Sequence, residues 1–470
     1  MTRARGAATA AGPFLVVVAA VAASASVSRY DLRIVAVYTA LTLALVCSLV
    51  VALRRHRMAP HIGEGTEASP SPLVAAALLA ACGVGTWVAP TFTYLSVPQA
   101  RTVKLVLAGA ALVAAGIVLA SRGRAAGAVL GAAVAGHITA AVLLIRLDPA
   151  PHIDVWVMLQ QAADATARGQ NMYTQVWRGS PGVQDAFTYL PGMGVIVAPG
   201  RWLAGDVRWA LLVVTVTAAL LPWLVARRAE RRQPVAGPVA SSGRCSSPTT
   251  VAVLSAMVLL LPGTATQVEQ AWTEPVLLAC LSAWYVATVR GRTRVGTAAL
   301  ALGLTAKQHV WPLLVVAAAW RRFGLRRVVA AAGLACAAMA PWASADPAAM
   351  WHDTVTLLVS FRALLFADTL YIAAIQELGW TPPFAVTGLV LALTLGAATW
   401  LVRRLDPPPG LTLRILATCL LVANLVNKQA FYNQYWLVMT LLLVSWMPVR
   451  EASRPPDVTR PGRRPAAAAA

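Results

Sequence analysis

The sequence predicts an all-α polytopic membrane protein with about 14 transmembrane helices, or 13 if the first is removed as a signal. Composition, apolar runs of bilayer length and one-sided basic clusters all point this way. Of 470 residues, 58% are hydrophobic and only 12% charged, against about 45–50% and roughly 25% in soluble domains. Disorder, collagen-like chains and disulfide scaffolds are excluded on the same ground. The six cysteines include no Cys-x-x-Cys pair. Cys47, Cys82, Cys280, Cys336 and Cys419 sit in apolar runs and Cys245 in a polar linker, so neither a disulfide framework nor a zinc knuckle is expected.

A bilayer core about 30 Å thick takes roughly 20 helical residues. Apolar runs at 7–27, 32–53, 73–95, 102–120, 125–145, 209–226, 328–345, 384–402 and 411–426 approach or meet that length. Runs at 251–264, 272–289, 295–306, 309–320 and 432–447 are shorter. A helix of about 12 residues covers only about 18 Å, so the shortest must thin the bilayer, lean on neighbouring helices or bury their polar ends in protein.

Basic clusters then set the orientation. Arg54-Arg55-His56-Arg57, Arg122-Gly123-Arg124, Arg227-Arg228, Arg290-Gly291-Arg292, Arg321-Arg322, Arg403-Arg404 and the tail all fall on one side, provided that 187–205 does not cross. That segment carries Pro191, Gly192, Gly194, Pro199 and Gly200, poor material for a spanning helix, and is expected to lie along the outer face. With 14 crossings, 27 of the 39 Lys/Arg and 6 of the 18 Asp/Glu are then cytoplasmic, while the other 12 and 12 balance outside. The net charge of +21 is therefore a topology signal, and nucleic acid is not an expected partner. Both termini are expected in the cytoplasm of a plasma-membrane protein. Arg3, Arg5 and Ala23-Ser24-Ala25 also fit a signal peptide, but the next apolar run follows almost at once and favours an uncleaved anchor. Residues 233–250 read as a Pro/Ser/Gly-rich linker, and 449–470 as a disordered basic tail able to meet anionic lipid.

Two outward loops are long, 146–208 and 346–383. In the first, Trp156, Leu159 and Ala163 share one side of an amphipathic helix beginning at Asp154, suited to the membrane interface. A carboxylate at a helix N-terminus stays ionised, so Asp154 is the candidate general base, though a helix cap needs no more than this. Gln267, Glu269, Gln270 and Glu274 lie at the same level, with Lys307, Gln308 and His309 at the tip of a hairpin of two short helices. Arg201, Arg208 and Arg362 add cations, and Asn427 to Trp436 adds polar and aromatic groups. A hairpin too short to span sets Lys307 below the outer surface, within reach of a lipid phosphate. Snorkelling of Lys307 and a structural ion pair for Glu269 are the plainer alternatives.

The order of these motifs resembles the GT-C superfamily of membrane glycosyltransferases that use polyprenyl-phosphate sugars, most closely the actinobacterial α-1,2-mannosyltransferase branch. The motifs are Asp154 after a helix, Gly169-Gln170-Asn171-Met172-Tyr173, Tyr189-Leu190-Pro191, Gly303-Leu304-Thr305-Ala306-Lys307 and Tyr432-Asn433-Gln434-Tyr435-Trp436. Gly192 stands where the family pattern has a second proline. His152-Ile153-Asp154 replaces a tandem acidic start, which argues against a metal and against a protein acceptor.

The resemblance implies a GT-C-like catalytic module over 122–345, with outer loop 146–208. Extra N-terminal helices occupy 1–121, a second outer loop and variable helices 346–448, and the tail 449–470. It implies an inverting single displacement in which Asp154 deprotonates an acceptor hydroxyl. The donor phosphate would be met by Lys307, with His309, Arg201, Arg208 and Arg362 behind it. Tyr173, Tyr189, Glu269 and Gln270 would contact sugar or acceptor. The implied partners are a polyprenyl-phosphate sugar (mannose first, arabinofuranose next), a glycolipid or envelope glycan acceptor, and membrane lipids; no cofactor is expected. A transporter or flippase of an envelope precursor, or an inactive GT-C-like assembly partner, are the alternatives; the long first outer loop and the absence of an evident internal repeat weigh against transport.

Overall fold

Helices buried along nearly their whole length sit inside this molecule, and long apolar helices that also present apolar side chains outward surround them. The computed structural model describes residues 2–24, 29–58, 69–89, 94–231 and 247–449, and among these it has helices and connecting turns but no strand. The first five helices are α1 (Thr2–Ala23), α2 (Leu32–Met58), α3 (Pro72–Val88), α4 (Val97–Ala120) and α5 (Ala126–Leu147). The following loop carries α6 (Asp154–Ala167) and α7 (Pro191–Ala204). Next come α8 (Arg208–Arg231), α9 (Ser247–Leu260), the short α10 (Thr264–Glu269), α11 (Glu274–Val289) and α12 (Thr293–Ala306). A 3-10 turn, Gln308–Leu313, leads to α13 (Leu314–Ala319) and α14 (Leu325–Ala345). The second long loop folds as α15 (Pro347–Trp351), a π turn over His352–Thr356, α16 (Leu357–Ser360) and α17 (Leu370–Leu378). It is followed by α18 (Phe384–Leu405), α19 (Pro409–Val426) and α20 (Tyr432–Ser445).

Among the described residues seven helices are long and apolar enough to cross a membrane: α2, α4, α5, α8, α14, α18 and α19. Five further apolar helical segments are shorter. The short helices α9, α11 and α20 are buried along nearly their whole length. Protein rather than lipid surrounds them, so nothing requires them to match the bilayer thickness. Around them α2, α4, α8, α14 and α18 expose residues such as Leu43, Leu105, Val213, Val329 and Leu393, a surface stable only against hydrocarbon. This is the architecture of a helical membrane protein.

The segment predicted not to cross forms α7. Its 14 residues cover about 21 Å, less than the bilayer core, and it contacts α6, α8, α12 and α14. Its first turn explains Gly192: a Cβ there would stand 2.1 Å from Thr305 Oγ1 and 2.8 Å from the Thr305 carbonyl oxygen. Only glycine lets α7 approach the end of α12 that carries Lys307. The predicted helix 309–320 is instead a 3-10 turn containing Pro312, followed by one short helix, because proline removes an amide donor from the ladder. Of the predicted linker 233–250, residues 233–246 lie outside the described residues and α9 already begins at Ser247; the tail beyond 449 also lies outside them, as do residues 25–28 of the possible signal-cleavage region.

The second long loop is bolted to the bundle. The Lys428 ammonium donates to the carbonyls of Val359 (2.6 Å) and Phe361 (2.5 Å), and the Tyr435 hydroxyl donates to that of Asp368 at 2.7 Å.

Candidate functional site

The candidate site draws on three chain segments, the loop that carries Tyr173 and Tyr189, the α11–α12 hairpin and the start of α6, at the end of the bundle that the charge pattern assigns outward. The first is the loop between α5 and α7. Asn171 starts a single 3-10 turn by accepting from the Tyr173 N–H at 3.2 Å, and its amide reaches the Trp342 carbonyl at 3.4 Å. Buried Tyr173 then donates from its hydroxyl to the Tyr189 carbonyl at 2.9 Å. Tyr173, Trp177, Phe187 and Tyr189 pack ring against ring. Sequence reasoning placed Tyr173 among the substrate contacts; its committed hydroxyl makes it a support for Tyr189. Burial raises the Tyr173 phenol, and nearby Asp353 raises it further.

The second segment is the hairpin α11–α12 with the turn that follows. Lys307 leaves the helical conformation (φ −154°, ψ 140°), which turns its side chain out of the α12 ladder. Its ammonium lies 2.5 Å from Glu274 Oε1, 3.1 Å from Thr273 Oγ1 and 5.3 Å from the centre of the Tyr189 ring. Glu274 is fully buried, and its other oxygen accepts from the Asn433 amide of α20 at 2.8 Å. His309, partly buried, lies within electrostatic reach of Lys307 and Glu274. Gln308 anchors the turn by donating to the carbonyls of Thr188 (3.0 Å) and Thr354 (3.2 Å).

The third segment is the start of α6. Asp154 is partly exposed and accepts from the Val155 N–H at 2.8 Å. Gly182 passes directly over it: a Cβ on Gly182 would fall 2.4 Å from Asp154 Oδ2. Tyr189 lies within electrostatic reach of both Asp154 and the Lys307–Glu274 pair. Burial pushes its phenol well above the ordinary range, the charges of Glu274 and Asp154 add to the rise, and a hydrogen bond with Thr273 opposes it. Lys307 lies over this ring, and the charge of Asp154 reaches the same phenol.

The other cations predicted to meet a phosphate are already engaged. Arg201 forms a two-point pair with Asp164, at 2.9 and 3.0 Å, and donates to the Gly205 carbonyl. Arg208 is fully buried. It pairs with Asp206 at 2.7 Å, donates to the carbonyls of Asp148 (2.8 Å) and Glu269 (3.5 Å), and lies 5.9 Å from the Trp156 ring centre. Trp156 in turn donates to Asp206. Arg201 and Arg208 thus hold the first long loop together, and among the described residues no hydrogen bond or ion pair shown brings either to the Lys307 cluster. Arg362 is exposed on a turn of the second loop, and among the described residues no hydrogen bond or ion pair shown by the structure ties it to the cluster.

Glu269 and Gln270 lie on a wholly buried stretch that ends in strain. Gln267, Glu269 and Gln270 are 0% exposed, and Ala271 has φ 53°, which costs a residue with a Cβ about 1–2 kcal/mol. The side-chain amides of Gln267 and Gln270 have no hydrogen-bond partner within the protein. Leaving such a group unsatisfied costs about 1–3 kcal/mol, and strain combined with unmet polar groups marks functional stretches more than structural ones. Sequence reasoning missed Thr273 and Gly182 and gave Glu274 no role. A buried carboxylate directly before Pro275 at the head of an apolar helix was the available signal.

No family model matches the sequence, and no curated protein or solved structure is similar to it.

Proposed function

We propose that this protein is a plasma-membrane glycosyltransferase that moves a sugar, mannose or else arabinofuranose, from a polyprenyl-phosphate donor to a lipid-linked or envelope glycan acceptor on the outer face. The observation that carries the reading is the Lys307 ammonium, held by buried Glu274 and Thr273 and lying 5.3 Å from the Tyr189 ring centre, beside a phenol that also feels the charge of Asp154. The proposal includes 14 crossings with both termini cytoplasmic, and a GT-C-like module over 122–345.

In the proposed step the acceptor hydroxyl gives its proton to Asp154 while its oxygen bonds to the anomeric carbon from the face opposite the phosphate. The bond from that carbon to the phosphate oxygen breaks, and its electron pair leaves on the polyprenyl phosphate. Lys307 stabilises that charge and shares its ammonium between the phosphate and Glu274. Tyr189 supports the sugar, and Tyr173 fixes Tyr189.

The test is transfer from radiolabelled polyprenyl-phosphate mannose and arabinofuranose by the purified chain in lipid vesicles supplied with membrane glycolipids. Wild type should label a glycolipid, and Asp154→Asn should label about 10²–10⁴-fold less. Equal labelling by the two proteins rejects Asp154 as base. A second reading, a flippase, draws on the buried Lys307–Glu274 pair, since buried charge pairs also serve transport; solute accumulation in sealed vesicles without any glycolipid labelling would favour it.

A further inference from the structure

The second long loop, folded as α15, the π turn, α16 and α17, has one side committed to the bundle. Asp353 of the π turn accepts from the Phe187 N–H at 2.8 Å, and Asp368 accepts from the Asp31 N–H at 2.9 Å. Ala367, Tyr371 and Ile372 form a small core against Tyr30 and Phe431. With the Lys428 and Tyr435 anchors, these contacts fix which side chains stay outside. Those are large and apolar: Trp351, Val359, Leu365, Phe366, Leu378 and Trp380 are each 43–75% exposed. One such side chain needs no explanation, but this many on one loop mark a contact with a membrane or a protein. Two observations favour the membrane. The loop leaves α14 and enters α18, both long and apolar enough to cross, and the first turns of α18 expose Phe384, Val386 and Leu389. Apolar exposure therefore continues from Trp380 into a lipid-facing helix, and Trp351 and Trp380 stand just beyond the ends of those helices, where tryptophan meets the membrane surface. The second observation is charge. The four acids of 346–383 are all engaged: Asp346 by the Ala349 N–H, Asp353 by His352 and Phe187, Asp368 by Asp31 and Glu377 by the Tyr30 hydroxyl. Arg362, the only Lys or Arg of the loop, is exposed, and among the described residues no hydrogen bond or ion pair shown holds it.

We infer that α15–α17 form a platform seated in the phospholipid of the leaflet on the side that the charge pattern assigns outward. The Arg362 guanidinium meets a phospholipid phosphate, and the exposed apolar side chains lie among the upper carbons of the acyl chains. A guanidinium flanked by Phe361 and Leu365 suits that boundary, because its stem stays with apolar groups while its donors reach the phosphate oxygens. The inference goes beyond sugar transfer and does not depend on it. It also gives the loop a mechanical role. Asp353 holds the Phe187 backbone, and Gln308 bridges the Thr188 and Thr354 carbonyls. The lipid-seated loop thereby supports the segment leading to Tyr189 and sets its depth relative to the membrane.

The experiment reads depth from a nitrobenzoxadiazole label on the full-length protein. The vesicles are phosphatidylcholine and phosphatidylglycerol, with part of the phosphatidylcholine brominated at acyl carbons 6,7 or 11,12. Cys47, Cys245 and Cys336 are replaced by alanine, buried Cys82, Cys280 and Cys419 are kept, and the label is placed at Leu365→Cys or Leu378→Cys. Both positions are exposed, so the label displaces no packing. A chain that retains Cys336, exposed midway along α14, gives the reference for the hydrocarbon core. Both loop labels should be quenched about twofold more by the shallow bromines than by the deep ones, and Cys336 the reverse. Arg362→Ala should reduce quenching at Leu365→Cys about twofold, and Arg362→Lys should restore it. Loop labels that emit as in water and that neither bromine quenches overturn the platform. Labels shielded from both water and bromine overturn it equally, because a second copy or another protein then covers this face. Quenching unchanged by Arg362→Ala overturns the phosphate contact.

Discussion

Two aspartates of the same loop, Asp154 and Asp206, stand in contrasting surroundings, one buried among donors and one nearly without them. Asp206 accepts from the Arg208 backbone, from two guanidinium nitrogens of Arg208 and from the Trp156 indole. Asp154, on the helix that Trp156 helps to hold, accepts from one backbone N–H, and its other oxygen faces the Gly182 backbone. A carboxylate surrounded by donors has no capacity left for a substrate proton. A carboxylate that accepts from a single backbone N–H keeps that capacity. The first aspartate holds the framework, and the second does the proposed chemistry.

The sharpest way to break this contrast is to remove Asp206. Taking one member from a buried, hydrogen-bonded ion pair costs about 3–5 kcal/mol, because the Arg208 charge is left without its partner. Asp206→Ala should therefore lower the unfolding transition of the detergent-solubilised protein steeply, whereas Asp154→Asn should leave it within about 0.5 kcal/mol of wild type. If the two variants lose stability equally, the division of labour between the aspartates is wrong.

Much of this arrangement was legible before any coordinates. Apolar runs located most of the long helices and the amphipathic pattern after Asp154 placed α6, whereas the glycines and prolines of 187–205, read as poor helix material lying along the outer face, form the regular 14-residue helix α7. What escaped was pairing. Asp206 and Arg208 are two residues apart, yet as sequence they were a loose acid and a loose base, because burial of both depends on α8 docking against α10 and α5. Lys307 and Glu274 meet only because α11 packs against α12, a contact no local pattern encodes. Gly192 stood out as a departure from a proline pair, and its reason, the approach of Thr305, is purely tertiary.

A smaller effect sharpens the Asp154 side of the comparison. Gly182→Ala adds one methyl group at a position whose backbone tolerates it, since Gly182 is not among the residues with positive φ. The new carbon collides with Oδ2, Cγ and Cβ of Asp154, so the carboxylate must rotate without being lost. Misplacement of a reacting group by about 1 Å costs up to about 10²-fold. Turnover in the glycolipid-labelling assay should fall about 10- to 100-fold, with the unfolding transition close to that of wild type. Full activity would mean that the orientation seen for Asp154 is not the working one.

The smallest effect belongs to Arg201, and it tests whether all pairing in the loop is equal. The Arg201–Asp164 pair has the two-point geometry of a strong contact, and the hydrogen bond to Asp164 raises the guanidinium's already high affinity for its proton. Both side chains are about one-third exposed, however, 36% for Arg201 and 33% for Asp164, against 0% and 10% for Arg208 and Asp206. Water solvates both ions when the pair opens, so Arg201→Ala should cost about 0–1 kcal/mol and shift the unfolding transition far less than Asp206→Ala. Transfer should persist, because the Asp154 and Lys307 contacts do not involve this guanidinium. A loss of transfer with the fold intact would return Arg201 to the phosphate-binding role that the sequence first suggested. Retained transfer with a small shift would establish burial, rather than the number of hydrogen bonds, as what makes the Asp206 clamp indispensable.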